Sequence, residues 1–233
     1  KFNCEIFERE VEIMKIATWN IERLQKRKNK EIIQAIKQIN ADILILTEAS
    51  DLIDLSGDYA FSSKTILLQN SNNNYRTDER RVFIYSKYPI SQTIKTYDER
   101  TSCCAEIETP FGNLVVYGTI IGIYGNRRTC FLEDLENQLI DINIISQSTN
   151  FCLAGDLNIS FSDNYYFTTI GRKKLNDVFS KNNLINVTKD IPQNIDHIII
   201  SANFIENPIY KTTTWNHDKL LSDHIGVCVE FFK

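Results

Sequence analysis

The apolar residues of this sequence come in short runs, and that shortness limits what the chain can fold into. Runs such as residues 43–46 and 198–200 are far shorter than the roughly 20 residues that a membrane-spanning helix needs. Short apolar runs bounded by polar residues are typical of buried β-strands. We therefore expect a fold built mainly from short strands, with no membrane span.

The spacing of the apolar residues separates the predicted strands from a few predicted helices. Apolar side chains recur three or four positions apart in residues 32–39, 132–142 and 175–179, which predicts helices there. The predicted strands are residues 13–19, 43–46, 82–85, 92–97, 103–108, 114–121, 151–154, 195–200 and 225–232. A doubly wound sheet needs a helix between nearly every pair of strands, and the middle of the chain lacks them. The pattern predicts an α/β (α+β) protein with two sheets packed face to face and helices outside.

Composition limits the domain organisation and the class of function. The chain has 233 residues, with only 4 prolines and 8 glycines, and no Pro/Gly-rich linker. We therefore expect a single domain over residues 1–233, with residues 1–12 peripheral to it. A net charge of −4 argues against a protein that coats nucleic acid by charge alone. The 6 cysteines form no C-x-x-C pair, which favours reduced thiols and a cytoplasmic location.

Polar groups stand at the ends of several predicted strands. They are Asn20, Glu48, Asp156 with Asn158, Asp196 with His197, and Asp223 with His224. Taken singly, each is also typical of a turn or a solvated surface group. If the strand ends converge, however, the carboxylates repel one another unless a cation lies among them. Oxygen ligands suit Mg²⁺, so the set as a whole predicts one shared metal site.

This ordered set of motifs resembles the endonuclease/exonuclease/phosphatase superfamily. The resemblance runs from Lys15 to Phe232, and its most specific parts are Gly-Asp-Leu-Asn at residues 155–158 and Ser-Asp-His at residues 222–224. It implies a four-layer α/β sandwich of two mixed β-sheets flanked by helices. It also implies hydrolysis of phosphoester bonds with Mg²⁺, or alternatively Mn²⁺, as the cofactor.

The resemblance also implies a role for each motif residue. Glu48 is the expected main metal ligand, with Asn20 and Asp223 beside the metal.

In the expected catalytic group, Asp156 orients or deprotonates the attacking water and Asn158 holds a phosphate oxygen. His224 binds the scissile phosphate, and Asp196 fixes the tautomer of His224 and raises its basicity. This division of labour suits phosphoryl transfer, which depends mainly on alignment and charge neutralisation.

Four further residues are predicted to contact substrate. Thr119 stands where the superfamily carries His or Tyr at the end of a central strand, and Arg127 and Arg128 are the candidates to replace that group. Trp215, just before the Ser-Asp-His motif, is predicted to stack on a base.

These features predict a Mg²⁺-dependent nuclease that hydrolyses DNA or RNA, with nucleic acid as its partner and with no protein or membrane partner. Two alternatives remain open at this point. One is a phosphatase or phosphodiesterase that acts on a small phosphorylated molecule, such as a nucleotide or inositol phosphate. The other is a non-catalytic relative that binds nucleic acid or protein.

Overall fold

A computed structural model describes residues 12–24, 28–55, 57–65, 75–123, 129–147, 150–166, 168–205 and 209–233. Within these ranges the strands are β1 (Ile13–Asn20), β2 (Ile43–Ser50), β3 (Tyr59–Ser62), β4 (Glu79–Ser86), β5 (Ile90–Ile94), β6 (Ser102–Thr109), β7 (Gly112–Ile120), β8 (Phe151–Asp156), β9 (Leu184–Asn186), β10 (Asp196–Ser201), β11 (Tyr210–Trp215) and β12 (Gly226–Phe232). The helices are α1 (Asn29–Ile39), α2 (Thr129–Ile145) and α3 (Thr169–Lys181), and short 3₁₀ turns occupy Glu22–Leu24 and Ala202–Phe204.

The described strands form two mixed sheets of six strands each. The first has the order β11-β12-β1-β2-β4-β3, and the second has the order β5-β6-β7-β8-β10-β9. Each sheet has one parallel pair near its centre, β1 with β2 in the first and β7 with β8 in the second. The other strand pairs are antiparallel.

The two sheets pack face to face, because their central strands are apolar on both sides. Ile16 and Ile45 of the first sheet share one buried cluster with Val116 and Ile198 of the second. The opposite face of the first sheet packs against α1, and the opposite face of the second packs against α2 and α3. The predicted four-layer α/β sandwich is therefore confirmed. None of the described helices is long and apolar enough to cross a membrane.

The predicted helices are present because each has an apolar side to bury. In α1, Ile32 and Ile36 lie one turn apart and both are buried. The helix ends where Asn40 takes a left-handed conformation and its backbone N–H donates to the carbonyl of Ile36, a common way to close a helix.

The sequence missed three strands and misplaced one. β3 and β11 lie at the two edges of the first sheet, and β9 lies at an edge of the second. An edge strand is paired on one side only and is partly exposed, so it does not need a continuous apolar run. The strand predicted over residues 92–97 is β5, which begins at Ile90 and ends at Ile94.

One of the motif residues, His197, belongs to the interior and not to a surface. It is fully buried, and its Nε2–H donates to the carbonyl of Ile159 at 2.9 Å. Its Nδ1 lies 3.0 Å from the hydroxyl of Thr188. Burial is the main reason why the pKa of His197 is lowered from 6.5 to about 4, so the ring is neutral in the fold.

We expect His197 to make the protein less stable as the pH falls. Between about pH 6.5 and about pH 4 the unfolded chain binds a proton on this ring that the folded chain does not, so stability falls with decreasing pH in that window. Urea unfolding at about pH 7 and about pH 4.5 should show that the wild type loses roughly 2 to 3 kcal/mol more than His197→Gln. Gln keeps a donor for the Ile159 carbonyl but does not titrate.

The matched control is His217→Gln, because His217 is exposed. This variant should lose as much stability as the wild type over the same pH interval. Equal losses in wild type and His197→Gln would contradict the interpretation.

Candidate active site

The ends of five segments converge at one edge of the sandwich. Asn20 ends β1 and is paired with Thr47 of the parallel strand β2, one residue before Glu48. Asp156 ends β8 and stands directly opposite Asp196, the first residue of β10. His224 lies two residues before β12, whose start is paired with the end of β1. Strand register therefore brings together residues that are up to 204 positions apart in the sequence.

The side-chain amide of Asn20 links two of the carboxylates. Its Nδ2 lies 3.1 Å from Asp156 Oδ2 and 3.4 Å from Glu48 Oε1, and Asn20 is buried. Its Oδ1 accepts the backbone N–H of Glu22 at 3.0 Å, which fixes the orientation of the amide. Asn20 thus offers a donor to both carboxylates and holds them close together.

Glu48 combines an unusual backbone with a buried charge. Its φ is +46°, a left-handed conformation that costs a residue with a side chain about 1 to 3 kcal/mol. Burial is the largest influence on its carboxyl group and raises the pKa, while the Asn20 hydrogen bond and the charge of His224 oppose that rise. A cation beside Glu48 would offset this burial cost.

Asp156 is positioned by the glycine that precedes it. Gly155 has φ of +137°, and a Cβ there would lie 2.0 Å from the carbonyl oxygen of Thr119, so only glycine allows β8 this close to β7. Burial chiefly raises the pKa of Asp156, and the nearby Asp196 raises it further. The backbone N–H of Asn158 donates to Asp156 Oδ1 at 2.8 Å, and the side-chain amide of Asn158 donates to the Ile121 carbonyl at 2.8 Å.

His224 and Asp196 form a close ion pair. Asp196 Oδ2 lies 2.6 Å from His224 Nδ1. Burial lowers the pKa of His224, but the charges of Asp196 and Asp156 and the hydrogen bond to Asp196 outweigh it and raise the pKa to about 10. Asp223 Oδ1 is 3.7 Å from His224 Nε2, and its side chain is 65% exposed. His224 is therefore protonated at neutral pH, with Nδ1–H held by Asp196 and Nε2–H at the cavity.

The arrangement divides into a cationic part and a part that could hold a metal. Ligand atoms of Asp156, Asp196 and His224 all lie within 4.8 Å of one another. His224 Nδ1 is already held by Asp196 Oδ2 at 2.6 Å, so we interpret these three as an ion-paired cluster. The fit for a divalent cation is better at Glu48, whose half-buried carboxylate has the Asn20 amide, at 3.4 Å, as its one described hydrogen-bond donor.

These residues line a cavity of about 430 Å³, within the usual size range of small-ligand sites. Its lining includes Glu48, Ile120, Gly122, Ile123, Asp156, Asn158, Tyr165, Tyr166, Gln193, Ile195, Asp196, Lys219, Asp223, His224 and Ile225. The sequence had pointed to the acidic members of this set, to Asn158 and to His224, and it had missed Tyr165, Gln193 and Lys219. No motif marks those three, because they lie in loops and turns outside the strands.

The structure does not bring Thr119 or Trp215 to the cavity, so both predicted substrate contacts are corrected. Thr119 is fully buried and its hydroxyl donates to Gln138 of α2. Side chains alternate along a strand, and it is Ile120 that faces the cavity from β7.

Trp215 packs edge-on against Trp19, with ring centroids 5.6 Å apart. Its ring covers Gly226, where a Cβ would lie 2.0 Å from the indole. This packing leaves the ring partly buried, and Trp215 is not among the residues that line the cavity.

The predicted contacts Arg127 and Arg128 lie outside the described residues. Two other basic residues, Arg80 and Lys174, are paired with carboxylates. Arg80 pairs with Asp51 at 2.8 Å, and Lys174 pairs with Glu136 at 2.9 Å.

Comparison with known proteins identifies one matching family and several solved structures with a similar fold. The model of the endonuclease/exonuclease/phosphatase family matches residues 17–224. The fold is similar to AP endonuclease LMAP from Leishmania major (TM-score 0.71, 13% identity, 95% of this chain and 88% of that chain). It is also similar to the 3′ phosphatase NExo from Neisseria bound to a product DNA hairpin (TM-score 0.69, 15% identity, 94% and 99%). A third similar structure is an endonuclease/exonuclease/phosphatase from Beutenbergia cavernae (TM-score 0.68, 16% identity, 95% and 71%). No curated protein sequence matches the chain.

We expect Asp196→Asn to lower the pKa of His224 from about 10 by several units, because the substitution removes the charge that keeps the ring protonated. Titration of the histidine ring signals by NMR measures this pKa directly.

Asp223→Asn is the matched control. Asp223 is mostly exposed and 3.7 Å from the ring, so its removal should lower the pKa much less. If His224 titrates in Asp196→Asn as it does in the wild type, the ion pair does not control its protonation.

Proposed function

The chain belongs to the endonuclease/exonuclease/phosphatase family, and from that premise we propose that it is a Mg²⁺-dependent phosphodiesterase that acts as a nuclease on DNA or RNA. The family's enzymes hydrolyse phosphoester bonds with the help of a metal ion, and this chain is an enzyme of that class. The observation that carries the finer proposal is geometric: His224 Nδ1 lies 2.6 Å from Asp196 Oδ2, and both residues line one cavity with Asp156.

Glu48 and Asp223 are the carboxylates we propose to hold the metal ion. Both line the cavity, and burial of the Glu48 charge favours a cation there. Asn20 would join them as a ligand through Oδ1 if its amide turned over, since its nitrogen now faces the carboxylates. When bound, Mg²⁺ offsets the negative charge of the phosphate and the leaving oxygen.

His224 is proposed to bind the scissile phosphate. Its Nδ1–H is already used by Asp196, which leaves Nε2–H to donate to a phosphate oxygen. Hydrogen bonds between charged groups are about twice as strong as neutral ones. Asp196 acts through His224, by keeping it charged and fixing its orientation.

Asp156 is proposed to orient the attacking water and accept its proton. Its raised pKa makes it a better proton acceptor than an ordinary surface carboxylate. Asn158 keeps one side-chain N–H after its bond to the Ile121 carbonyl, and we propose that this N–H contacts a phosphate oxygen.

The preference for nucleic acid rests on the similar structures, which include an AP endonuclease and a phosphatase bound to a DNA hairpin. A small phosphorylated molecule is the second candidate substrate. It is favoured by the neutralised basic residues, because Arg80 and Lys174 are paired with carboxylates and do not form an open cationic track. The single-domain organisation and the cytoplasmic location stay predictions.

We expect the purified protein to cleave single-stranded DNA, duplex DNA or RNA in Mg²⁺ and not in EDTA. Asp156→Asn and His224→Gln should each lower kcat by about 100-fold or more, because each removes a group that acts on the reacting atoms. His224→Gln should also lower the thermal stability, because it leaves the buried Asp196 without its ion-pair partner, so kcat is measured at a temperature where each variant stays folded. Gel-based cleavage assays and released-phosphate assays on small phosphoesters measure the effect. Asp177→Asn, an exposed position on α3, is the charge-matched control and should behave as wild type. Metal-independent cleavage, or full activity in both variants, would falsify the proposal.

We expect Glu48→Gln to separate metal binding from folding. Removal of the Glu48 charge should raise the melting temperature in EDTA. It should also abolish most of the increase in melting temperature that Mg²⁺ gives the wild type, because the ion stabilises the fold only when it is bound. The apparent Kd for Mg²⁺ should rise by at least about tenfold. Differential scanning fluorimetry over a Mg²⁺ series measures both effects. Glu31→Gln, exposed on α1, is the control, and a Mg²⁺ response of Glu48→Gln equal to that of the control contradicts the assignment.

A further inference from the structure

Two side chains that belong to none of the motifs meet at the catalytic cavity. Tyr165 lies in the loop between β8 and α3, and Lys219 lies in the turn between β11 and β12. Lys219 Nζ donates a hydrogen bond to Tyr165 Oη at 2.5 Å. Both residues line the same cavity as Asp156 and His224, so a substrate bound there meets them.

Lys219 brings a positive charge that no described carboxylate neutralises within ion-pair distance. Its one described hydrogen-bond partner is the neutral tyrosine hydroxyl. The hydrogen bond of a charged donor becomes stronger when an anion replaces or joins its neutral acceptor. Lys219 therefore differs from Arg80 and Lys174, whose charges are already paired, and it is suited to bind a phosphate.

The ring of Tyr165 is available to a ligand. The Lys219 ammonium is 4.5 Å from the ring centroid but 2.5 Å from the hydroxyl oxygen, which places it beyond the hydroxyl end of the ring and not above the face. The residue is 46% exposed, and no other described aromatic ring stacks on it. An exposed aromatic face of this kind is what a nucleic-acid base stacks on.

The turn that carries Lys219 is held to the backbone of the catalytic histidine. The Asn216 side chain donates to the carbonyls of Ser222 and His224 at 2.8 and 2.7 Å, and it accepts the N–H of Leu221 at 3.0 Å. Lys219 itself has φ of +54°, a conformation that asparagine or glycine adopts more readily. The position of the Lys219 backbone relative to His224 is thus fixed before substrate binds.

The loop that carries Tyr165 is held in a similar way. Asp163 accepts the N–H of Tyr165 at 3.0 Å and the N–H of Gln193 at 2.8 Å. Its backbone carbonyl accepts Arg172 Nη2 at 2.6 Å. Two separately anchored segments therefore present an ammonium and an aromatic ring to one cavity, and such preorganisation lowers the entropy cost of binding.

We propose that Lys219 and Tyr165 bind the nucleotide next to the scissile bond, with the Lys219 ammonium on the neighbouring phosphate and the Tyr165 ring on the base. The inference rests on the proposed phosphodiesterase function and narrows its substrate to a nucleic-acid strand. A small molecule with one phosphate and no base gives neither residue anything to bind.

The test is equilibrium binding of a fluorescent single-stranded oligothymidylate of about eight nucleotides, measured by anisotropy with Mg²⁺ in an Asp156→Asn background. Lys219→Asn should raise the Kd about tenfold and make the salt dependence shallower by about 0.7 in log–log slope, the value for one lost phosphate contact. Asparagine tolerates the left-handed backbone of this position, so the fold is kept. Tyr165→Ala should also raise the Kd about tenfold.

Three variants control for charge and for packing. Lys219→Arg and Tyr165→Phe keep the charge and the ring, and they should bind within about twofold of the parent. Lys181→Asn removes an equal charge at the opposite end of the sandwich, in a cavity it shares with Asn150 and Ser201, and it should change neither the Kd nor the slope. The proposal is overturned if the parent does not bind the oligonucleotide, or if Lys219→Asn weakens binding no more than Lys181→Asn.

A kinetic arm with Asp156 intact separates this inference from the proposed function. Lys219→Asn should raise KM for the oligonucleotide about tenfold with little change in kcat, and it should raise KM for bis(p-nitrophenyl) phosphate much less, because that substrate has no second phosphate. Equal losses on both substrates overturn the inference and leave phosphodiester hydrolysis standing. If neither substrate is hydrolysed, the proposed function is refuted. The binding result then decides only whether Lys219 and Tyr165 bind the oligonucleotide.

Discussion

The site depends on the burial of several carboxylates around a single protonated imidazole. Asp196 and Asp156 keep His224 charged, and His224 in turn lowers the repulsion between them. Asn20 donates to both Asp156 and Glu48. It therefore connects Glu48 to the cluster of Asp156, Asp196 and His224. Leaving a buried charge without a partner costs several kcal/mol. The cluster is therefore stable only as a unit, and the remaining negative charge at Glu48 is what a divalent cation would neutralise.

The sandwich makes this burial possible because its two sheets end at the same edge. One parallel pair lies near the centre of each sheet, and β1 and β8 carry Asn20 and Asp156 at their carboxyl ends. The antiparallel partner β10 begins at Asp196, directly across from Asp156. Because the strands are fixed by a packed core on both faces, strand register sets the distances among Asn20, Asp156 and Asp196.

Sequence reasoning identified site residues at positions where a polar residue follows an apolar strand. Asn20, Glu48, Asp156 and His224 were found in this way. Three of them line one cavity, and Asn20 lies behind it, hydrogen-bonded to Glu48 and Asp156. The same reasoning missed β3 and β11, because these edge strands bury little and leave no apolar run. It missed β9 because that strand has only three residues. It also misplaced Thr119, since the motif gives a position along β7 but not the face to which the side chain points. Ile120, one residue later, faces the cavity instead.

The remaining errors share one cause, which is that exposure and partners depend on contacts between distant segments. The sequence suggested that Trp215 is available for stacking. In the structure its ring packs against Trp19 and over Gly226, which has no side chain to prevent this contact. Lys219 and Tyr165 are 54 positions apart and belong to no motif, yet turn geometry brings them to the same cavity. The buried cluster that we propose as the catalytic group must have particular residues beside particular strands, and so it leaves a pattern in the sequence. The residues that we propose as contacts to the substrate need only reach the cavity from any turn, and for that reason they leave none.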